Sequence, residues 1–176
     1  MRVVCLARHP AVQVPKGICY GQTDVTLAPG WEGFAHKLAE QMRMDGISRL
    51  IASPFARCRL PAEMVQRLTG CDLRLDDRLL EMNFGAWEGR SWNDVPRDAL
   101  DAWATDLFGF VPPAGESGIS LIQRVEAFWS EYRGEGCAIL SHGGPLRVLL
   151  SLAERRTPDL ADPAPALGSI LTVKTA

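Results

Sequence analysis

The chain has 176 residues, with 19 Lys and Arg against 21 Asp and Glu for a net charge of -2, so no broad positive field exists to hold nucleic acid or an anionic membrane. The length suits one domain over residues 1–176, able to bury about 70% of the surface that the unfolded chain exposes. Five cysteines, an odd number without C-x-x-C spacing, argue against a disulfide framework and a zinc cluster and are expected to be reduced core residues. No stretch approaches the ~18 apolar residues of a membrane span, and the apolar run before Arg8 is too short for a secretion signal. The expected location is the cytoplasm.

Strand-like and helix-like segments alternate along the chain, which predicts an α/β domain with a mostly parallel sheet. Val3 to Leu6 is a continuous apolar run that suits a central strand covered on both faces. Residues 10–28 are rich in Pro and Gly and read as loop. Trp31, Phe34, Ala35, Leu38 and Met42 recur at helical spacing until Asp45-Gly46, and Ile47 to Ala52 reads as a second strand. Ser53-Pro54 reads as a helix entry, a capping hydroxyl followed by proline at the first helical position. The helix after it would turn Phe55, Ala62, Val65 and Leu68 inward. Pro61 predicts a kink or restart there, because proline deletes the bond to the Arg57 carbonyl.

Leu73 to Leu75 reads as a short strand, and a helix is expected over part of 93–105. Residues 81–118 are otherwise irregular and hold Trp87, Trp92 and Trp103. Ser120 to Gln123 fits a capping box before the apolar stripe Leu121, Ile122, Val125, Phe128, Trp129 and Tyr132. Cys137 to Leu140 is a further strand, Pro145 opens the next helix, and Ser169 to Val173 is the last strand.

Two of the three histidines fall where strands end. His9 follows Arg8 after the first strand, and His142 precedes Gly143-Gly144 after Cys137 to Leu140. Ligands of open α/β sheets bind beyond the carboxyl ends of the strands, so the two can face one crevice although 133 positions separate them. A lone histidine at a strand end is more often structural; Arg8 changes that balance, since guanidinium binds phosphate as a two-pronged fork. A neutral imidazole can attack phosphorus directly. Metal ligation is weakly supported, because nearby Asp, Glu and Cys lack ligand spacing.

Arg57 lies near the amino end of a helix that follows a strand, where free N–H groups favour an anion. Arg59, on the other face, reads as solvated. Glu81 follows two leucines and precedes aromatics, a partly desolvated setting suited to carrying a proton; a surface loop glutamate is the plain alternative. Glu88 competes with it, although Gly89-Arg90 suggests a more exposed place. Gly143-Gly144 lets backbone approach a ligand closely, and His36, beside Lys37 in a helix, reads as a surface residue.

In order, Leu6-Ala7-Arg8-His9, Ser53-Pro54-x-x-Arg57, Glu81-x-x-Phe84-Gly85-x-Trp87-Glu88-Gly89, Pro113-x-Gly115-Glu116-Ser117 and Ser141-His142-Gly143-Gly144 resemble the motifs of the histidine phosphatase superfamily, the phosphoglycerate mutase-like enzymes. Residues 17–27 further resemble a segment of its α-ribazole phosphatases, which remove the 5′-phosphate from α-ribazole phosphate in cobalamin nucleotide-loop assembly. The resemblance implies a three-layer αβα sandwich and phosphoryl transfer with neither metal nor other cofactor. It implies His9 as nucleophile, Arg8, Arg57 and His142 around the phosphoryl oxygens, Gly143 beside them, and Glu81 as proton donor to the leaving oxygen. Positioning and charge stabilisation are what such a transfer needs most.

Two departures stand out. Pro10 replaces the glycine usual after the nucleophilic histidine and lacks an N–H, and the usual Glu-Thr-x-x-Asn is missing, for which Thr23 is the candidate substitute. The expected partner is a small phosphorylated substrate, neither nucleic acid nor membrane, with the oligomeric state unreadable. The alternatives are a protein phosphohistidine phosphatase, a phosphoglycerate mutase, or an inactive phosphate-binding module. The 60 residues between Glu81 and His142 leave limited room for a mutase cap. Trp87, Trp92, Trp103 and Phe108 could line a substrate wall or form core.

Overall fold

Apolar runs of four or five residues recur between amphipathic helices, and in the computed structural model, which describes residues 2–133 and 135–175, they assemble into one five-stranded sheet. The strands are β1 (Arg2–Arg8), β2 (Arg49–Ala52), β3 (Asp72–Leu75), β4 (Cys137–Ser141) and β5 (Ile170–Thr175). Their spatial order is β3-β2-β4-β1-β5. β1, β2, β3 and β4 run parallel, while β5 pairs antiparallel with β1. The helices are α1 (Glu32–Met44), α2 (Ala56–Thr69), α3 (Arg97–Thr105), α4 (Gly118–Tyr132) and α5 (Gly143–Ala153). The expected α/β architecture is what the chain adopts.

Period-two alternation divides the strands between two cores. Val4, Leu6, Ile51 and Ile139 face α4 and α5, packing on Leu121, Val125, Phe128, Leu146 and Leu149. Cys5, Ala7, Leu50, Ala52, Ala138 and Leu140 face α1 and α2, packing on Phe34, Leu38, Met42, Cys58, Ala62 and Val65. Both faces of β1 and β4 are therefore covered, which explains why these strands read as unbroken apolar runs. Truncating a fully buried leucine such as Leu140 to alanine would cost about 2–5 kcal/mol.

Several local expectations differ from the fold. α2 begins at Ala56 rather than Pro54, with Phe55 extended at the cap position; the Ala56 N–H is met by Asp24 Oδ1 at 2.9 Å, not by Ser53. Phe55 consequently points over the site instead of into the core. Pro61 neither ends nor restarts α2, which runs on to Gly70 in the left-handed conformation at φ 72°. One lost backbone bond is outweighed by the burial of Cys58, Ala62 and Val65.

The cap of α4 is Ser117, whose hydroxyl accepts the Ser120 N–H at 3.1 Å, so the Ser120 capping box is not formed. α5 starts at Gly143, two residues before Pro145. That proline sits in the first turn, where N–H groups have no intrahelical partner.

Trp87, buried, anchors an aromatic layer with Phe84, Trp92, Trp103 and Phe110. The connections leaving β1 and β4 diverge to opposite faces of the sheet, α1 to one and α5 to the other. A crevice opens beyond the adjacent carboxyl ends of these two strands.

Candidate active site

Parallel register sets Arg8 of β1 beside Ser141 of β4, so the residues that follow, His9 and His142, leave the sheet together. Their ring centroids are 5.2 Å apart. Both imidazoles are buried, His9 at 1% exposure and His142 at 0%.

His9 Nδ1 lies 2.8 Å from the Pro10 carbonyl oxygen. A carbonyl only accepts, so Nδ1 carries the ring hydrogen and donates it, leaving the lone pair on Nε2. Burial, reinforced by the positive charges of Arg57 and Arg8 and only partly opposed by the Pro10 bond, lowers its pKa from 6.5 to about 3. The ring is neutral at physiological pH. The proline that interrupts the usual motif thus supplies, through its carbonyl, the bond that selects the tautomer.

Arg57, on the first turn of α2, is fully buried yet bonds no carboxylate among the described residues. Its Nε donates to His142 Nδ1 at 3.1 Å, one terminal nitrogen to the Thr23 carbonyl at 2.8 Å and the other to the Gly21 carbonyl at 2.6 Å. The rings of Tyr20 and Phe55 flank it at 5.1 and 5.0 Å. A guanidinium has five N–H donors; three are used here, leaving one on each terminal nitrogen for a ligand. A buried cation surrounded by neutral acceptors is a standing demand for an anion.

His142 is engaged on both sides. Nδ1 accepts from Arg57, so Nε2 carries the hydrogen and donates to Ser53 Oγ at 2.7 Å. Burial, then the charge of Arg57, His9 and Arg8, holds this ring well below the usual histidine range. In this arrangement His142 orients Arg57 rather than offering a free N–H to a phosphate.

Glu81 reaches the same place from the loop after β3. Its Oε1 accepts the N–H of Met82 at 2.8 Å and of Gly144, on the first turn of α5, at 3.1 Å. Its own carbonyl is held by Gln22 Nε2 at 3.0 Å and Arg124 at 3.1 Å. Arg8, bonded to the Pro165 carbonyl at 2.7 Å, keeps a buried Nε without a partner. An added Cβ at Gly143 would lie 3.2 Å from the Arg8 guanidinium carbon and from Ala164 Cβ, so these neighbours would have to give by a few tenths of an ångström.

A cavity of about 310 Å³ is lined by Arg8, Tyr20, Gly21, Glu81, Gly143 and Gly144, together with Phe84, Trp92, Trp103, Leu107, Leu121, Arg147 and Leu160. His9, Arg57 and His142, all buried, are not part of that lining, and neither is Thr23. It is exposed, its hydroxyl donates to Glu88 Oε2 at 2.7 Å, and its carbonyl holds Arg57. The aromatics divide: Trp92 and Trp103 face the cavity, Trp87 is core, and Phe108 is at the surface. His36 is exposed, and Arg59 pairs with Glu63 at 2.8 Å. Among the described residues, no three His, Cys, Asp or Glu side chains are placed to hold a metal ion.

The sequence gives no sign of Arg124 or Arg147, marks Ser53 only as a helix cap, and suggests an exposed place for Glu88. The last is half-buried rather than exposed: Oε1 accepts the N–H of Gln22 and Phe84 at 2.9 and 3.0 Å, tying residues 21–23 to the loop that carries Glu81. A carboxylate between tryptophan and glycine was the available signal.

The model of the histidine phosphatase superfamily (branch 1) matches residues 4–173. A probable phosphoglycerate mutase of Escherichia coli O1:K1 is 33% identical over 160 residues, 86% of this chain and 74% of that protein. A bifunctional protein of Mycobacterium tuberculosis H37Rv is 30% identical over 131 residues, 70% of this chain. The match spans only 36% of that longer relative.

Among solved structures, the α-ribazole phosphatase of Shigella flexneri superimposes with a TM-score of 0.85 at 25% identity, covering 98% of this chain and 90% of that one. A mycobacterial glucosyl-3-phosphoglycerate phosphatase does so with a TM-score of 0.81 at 22% identity, covering 97% and 89%. By the family match over almost its whole length, this chain belongs to the histidine phosphatase superfamily.

Proposed function

We propose that residues 1–176 act as one metal-independent phosphomonoesterase domain that works through a phosphohistidine. The observation that carries this reading is the His9 tautomer: Nδ1–H is spent on Pro10 and Nε2 keeps its lone pair, while the His142 ring 5.2 Å away accepts from a buried arginine that bonds no carboxylate among the described residues. Nε2 attacks phosphorus, the bond from phosphorus to the ester oxygen breaks, and the Glu81 carboxyl gives its proton to that oxygen. In the second step Glu81, now a carboxylate, takes a proton from water. The resulting hydroxide displaces phosphate from His9, and the N–P bond breaks.

Arg8 and the two unused N–H groups of Arg57 hold the equatorial oxygens, the term that matters most in such a transfer. Gly143 lets the anion approach the start of α5. His142 and Thr23 act here chiefly by holding Arg57. A direct bond from His142 to phosphate requires it to give up one of its two present partners.

For the substrate we favour α-ribazole 5′-phosphate. The 17–27 segment, the tryptophan wall of the cavity and the fold of the Shigella enzyme support it. The cytoplasm suits the five cysteines, all reduced and buried. The test is hydrolysis of p-nitrophenyl phosphate with and without chelator, together with trapping of an acid-labile phosphoenzyme. Turnover should survive chelation, and His9→Ala should abolish both turnover and trapping. A His9→Ala variant with undiminished turnover refutes the assignment. Comparing phosphate release with transfer to 3-phosphoglycerate separates a phosphatase from a mutase.

A further inference from the structure

Glu81 lies between two single turns of 3₁₀ helix, Asp77–Leu79 and Gly85–Trp87, in a stretch that belongs to no helix or strand. Its backbone groups must therefore find partners outside regular structure. Side chains supply them. The N–H groups of Met82, Asn83, Phe84 and Gly85 go to Glu81 Oε1, Glu116 Oε1, Glu88 Oε1 and Asn83 Oδ1.

Arg124, on α4, takes the carbonyls. One terminal nitrogen donates to the Arg78 carbonyl at 2.7 Å and the other to the Glu81 carbonyl at 3.1 Å. The second nitrogen also bonds Glu116 Oε1 at 2.8 Å, and Nε meets Oε2 at 3.3 Å, so the two side chains face each other as fork and fork. Glu116 closes the arrangement: Oε1 accepts the Asn83 N–H at 2.9 Å, and its own N–H donates to the Asn83 carbonyl at 2.9 Å. Gly115 permits that approach, since a Cβ there would fall 2.6 Å from the Asn83 carbonyl oxygen. One ion pair thus grips the chain at residues 78, 81 and 83, on both sides of the Glu81 carboxyl.

The pair is mostly removed from water, with Arg124 and Glu116 at 20% and 17% side-chain exposure. Much of its Coulomb gain repays desolvation, which makes it a poor source of stability. What it supplies is direction, because a planar fork seated on a carboxylate aims its remaining N–H groups at fixed points. Neither residue lines the cavity, so any effect on the reaction passes through Glu81.

Resting on the reading of Glu81 as proton donor, we infer that Arg124 and Glu116 are positioning residues: together they fix the backbone around Glu81 and hold its carboxyl against the start of α5, where it meets the leaving oxygen. The test compares glycerol 3-phosphate with p-nitrophenyl phosphate, whose leaving group departs without a proton, in the wild type, Arg124→Met, Glu116→Gln and Glu81→Gln. In Arg124→Met, kcat for glycerol 3-phosphate should fall at least about tenfold more than kcat for p-nitrophenyl phosphate, with KM for both within about twofold of wild type. Glu116→Gln, which keeps the shape of the side chain, should give a selective loss of about threefold and carries the test if Arg124→Met does not fold. In the Glu81→Gln background, Arg124→Met should cause no further selective loss. Equal losses on the two substrates, or a selective loss that persists without the Glu81 carboxyl, would overturn the inference.

A wild type that turns over neither substrate, or a Glu81→Gln variant that loses equally on both, counts against the proton-donor reading alone. The place of the carboxyl is then read from the Gly144 amide, which donates to Glu81 Oε1. Its proton resonance should move upfield in Glu81→Ala and also in Arg124→Met, as the hydrogen bond is lost or lengthened. A resonance that moves in Glu81→Ala and stays in place in Arg124→Met overturns the inference.

Discussion

Keeping His9 neutral has a cost that can be measured as stability. Its folded pKa is about 3 against an ordinary 6.5, chiefly because the ring is buried. Between those values the unfolded chain binds a proton that the folded chain refuses, so stability falls as pH drops below 6.5 and the loss levels off below about 3. At about pH 5 the loss from this one group is roughly 2 kcal/mol, and at about pH 7.5 it is close to zero.

His9→Asn keeps an amide able to donate to Pro10 and removes the titration. Urea unfolding of both proteins at the two pH values, in phosphate-free buffer, should give a wild type that loses about 2 kcal/mol more than the variant on acidification. His142 is lowered in the same direction, but it is present in both proteins and largely cancels. Identical losses would mean that His9 already accepts a proton in the folded state, and the neutral nucleophile would have to be abandoned.

Two further substitutions probe the supports of the site. In Gly144→Ala the new Cβ overlaps Glu81 Oε1, so proton delivery should suffer. We expect kcat for an alkyl phosphate to fall by about ten- to a hundredfold, and less for p-nitrophenyl phosphate, whose leaving group departs without a proton; equal losses would separate Glu81 from proton transfer. Glu88→Gln replaces a carboxylate that accepts from Gln22, Phe84 and Thr23. The change should cost about 1–3 kcal/mol and lower Tm by several degrees, with weaker vanadate binding as residues 21–23 loosen from Arg57. An unchanged melting curve would show that Glu88 does not hold that segment.

The strands β1, β2 and β4 were legible because burial on both faces writes itself as unbroken apolar runs, and α1 and α4 because a one-sided helix must repeat near every 3.6 residues. Helix entries were less legible. Ser53 has the chemistry of a cap, but its hydroxyl is committed to His142 from another strand, and the cap of α2 comes instead from Asp24. Ser120 likewise lost its expected role to Ser117.

Residue types alone marked His9, Arg8, Arg57, Glu81 and His142, since a strand-end histidine beside arginine is a chemical pattern carried by neighbours in the chain. Which nitrogen of His9 holds the hydrogen, that His142 faces Arg57 and Ser53 with both of its own, and that Arg124 reaches the Glu81 carbonyl were decided only by tertiary structure. Each depends on groups brought from distant segments to within hydrogen-bonding distance, and period and composition carry no record of distances between segments.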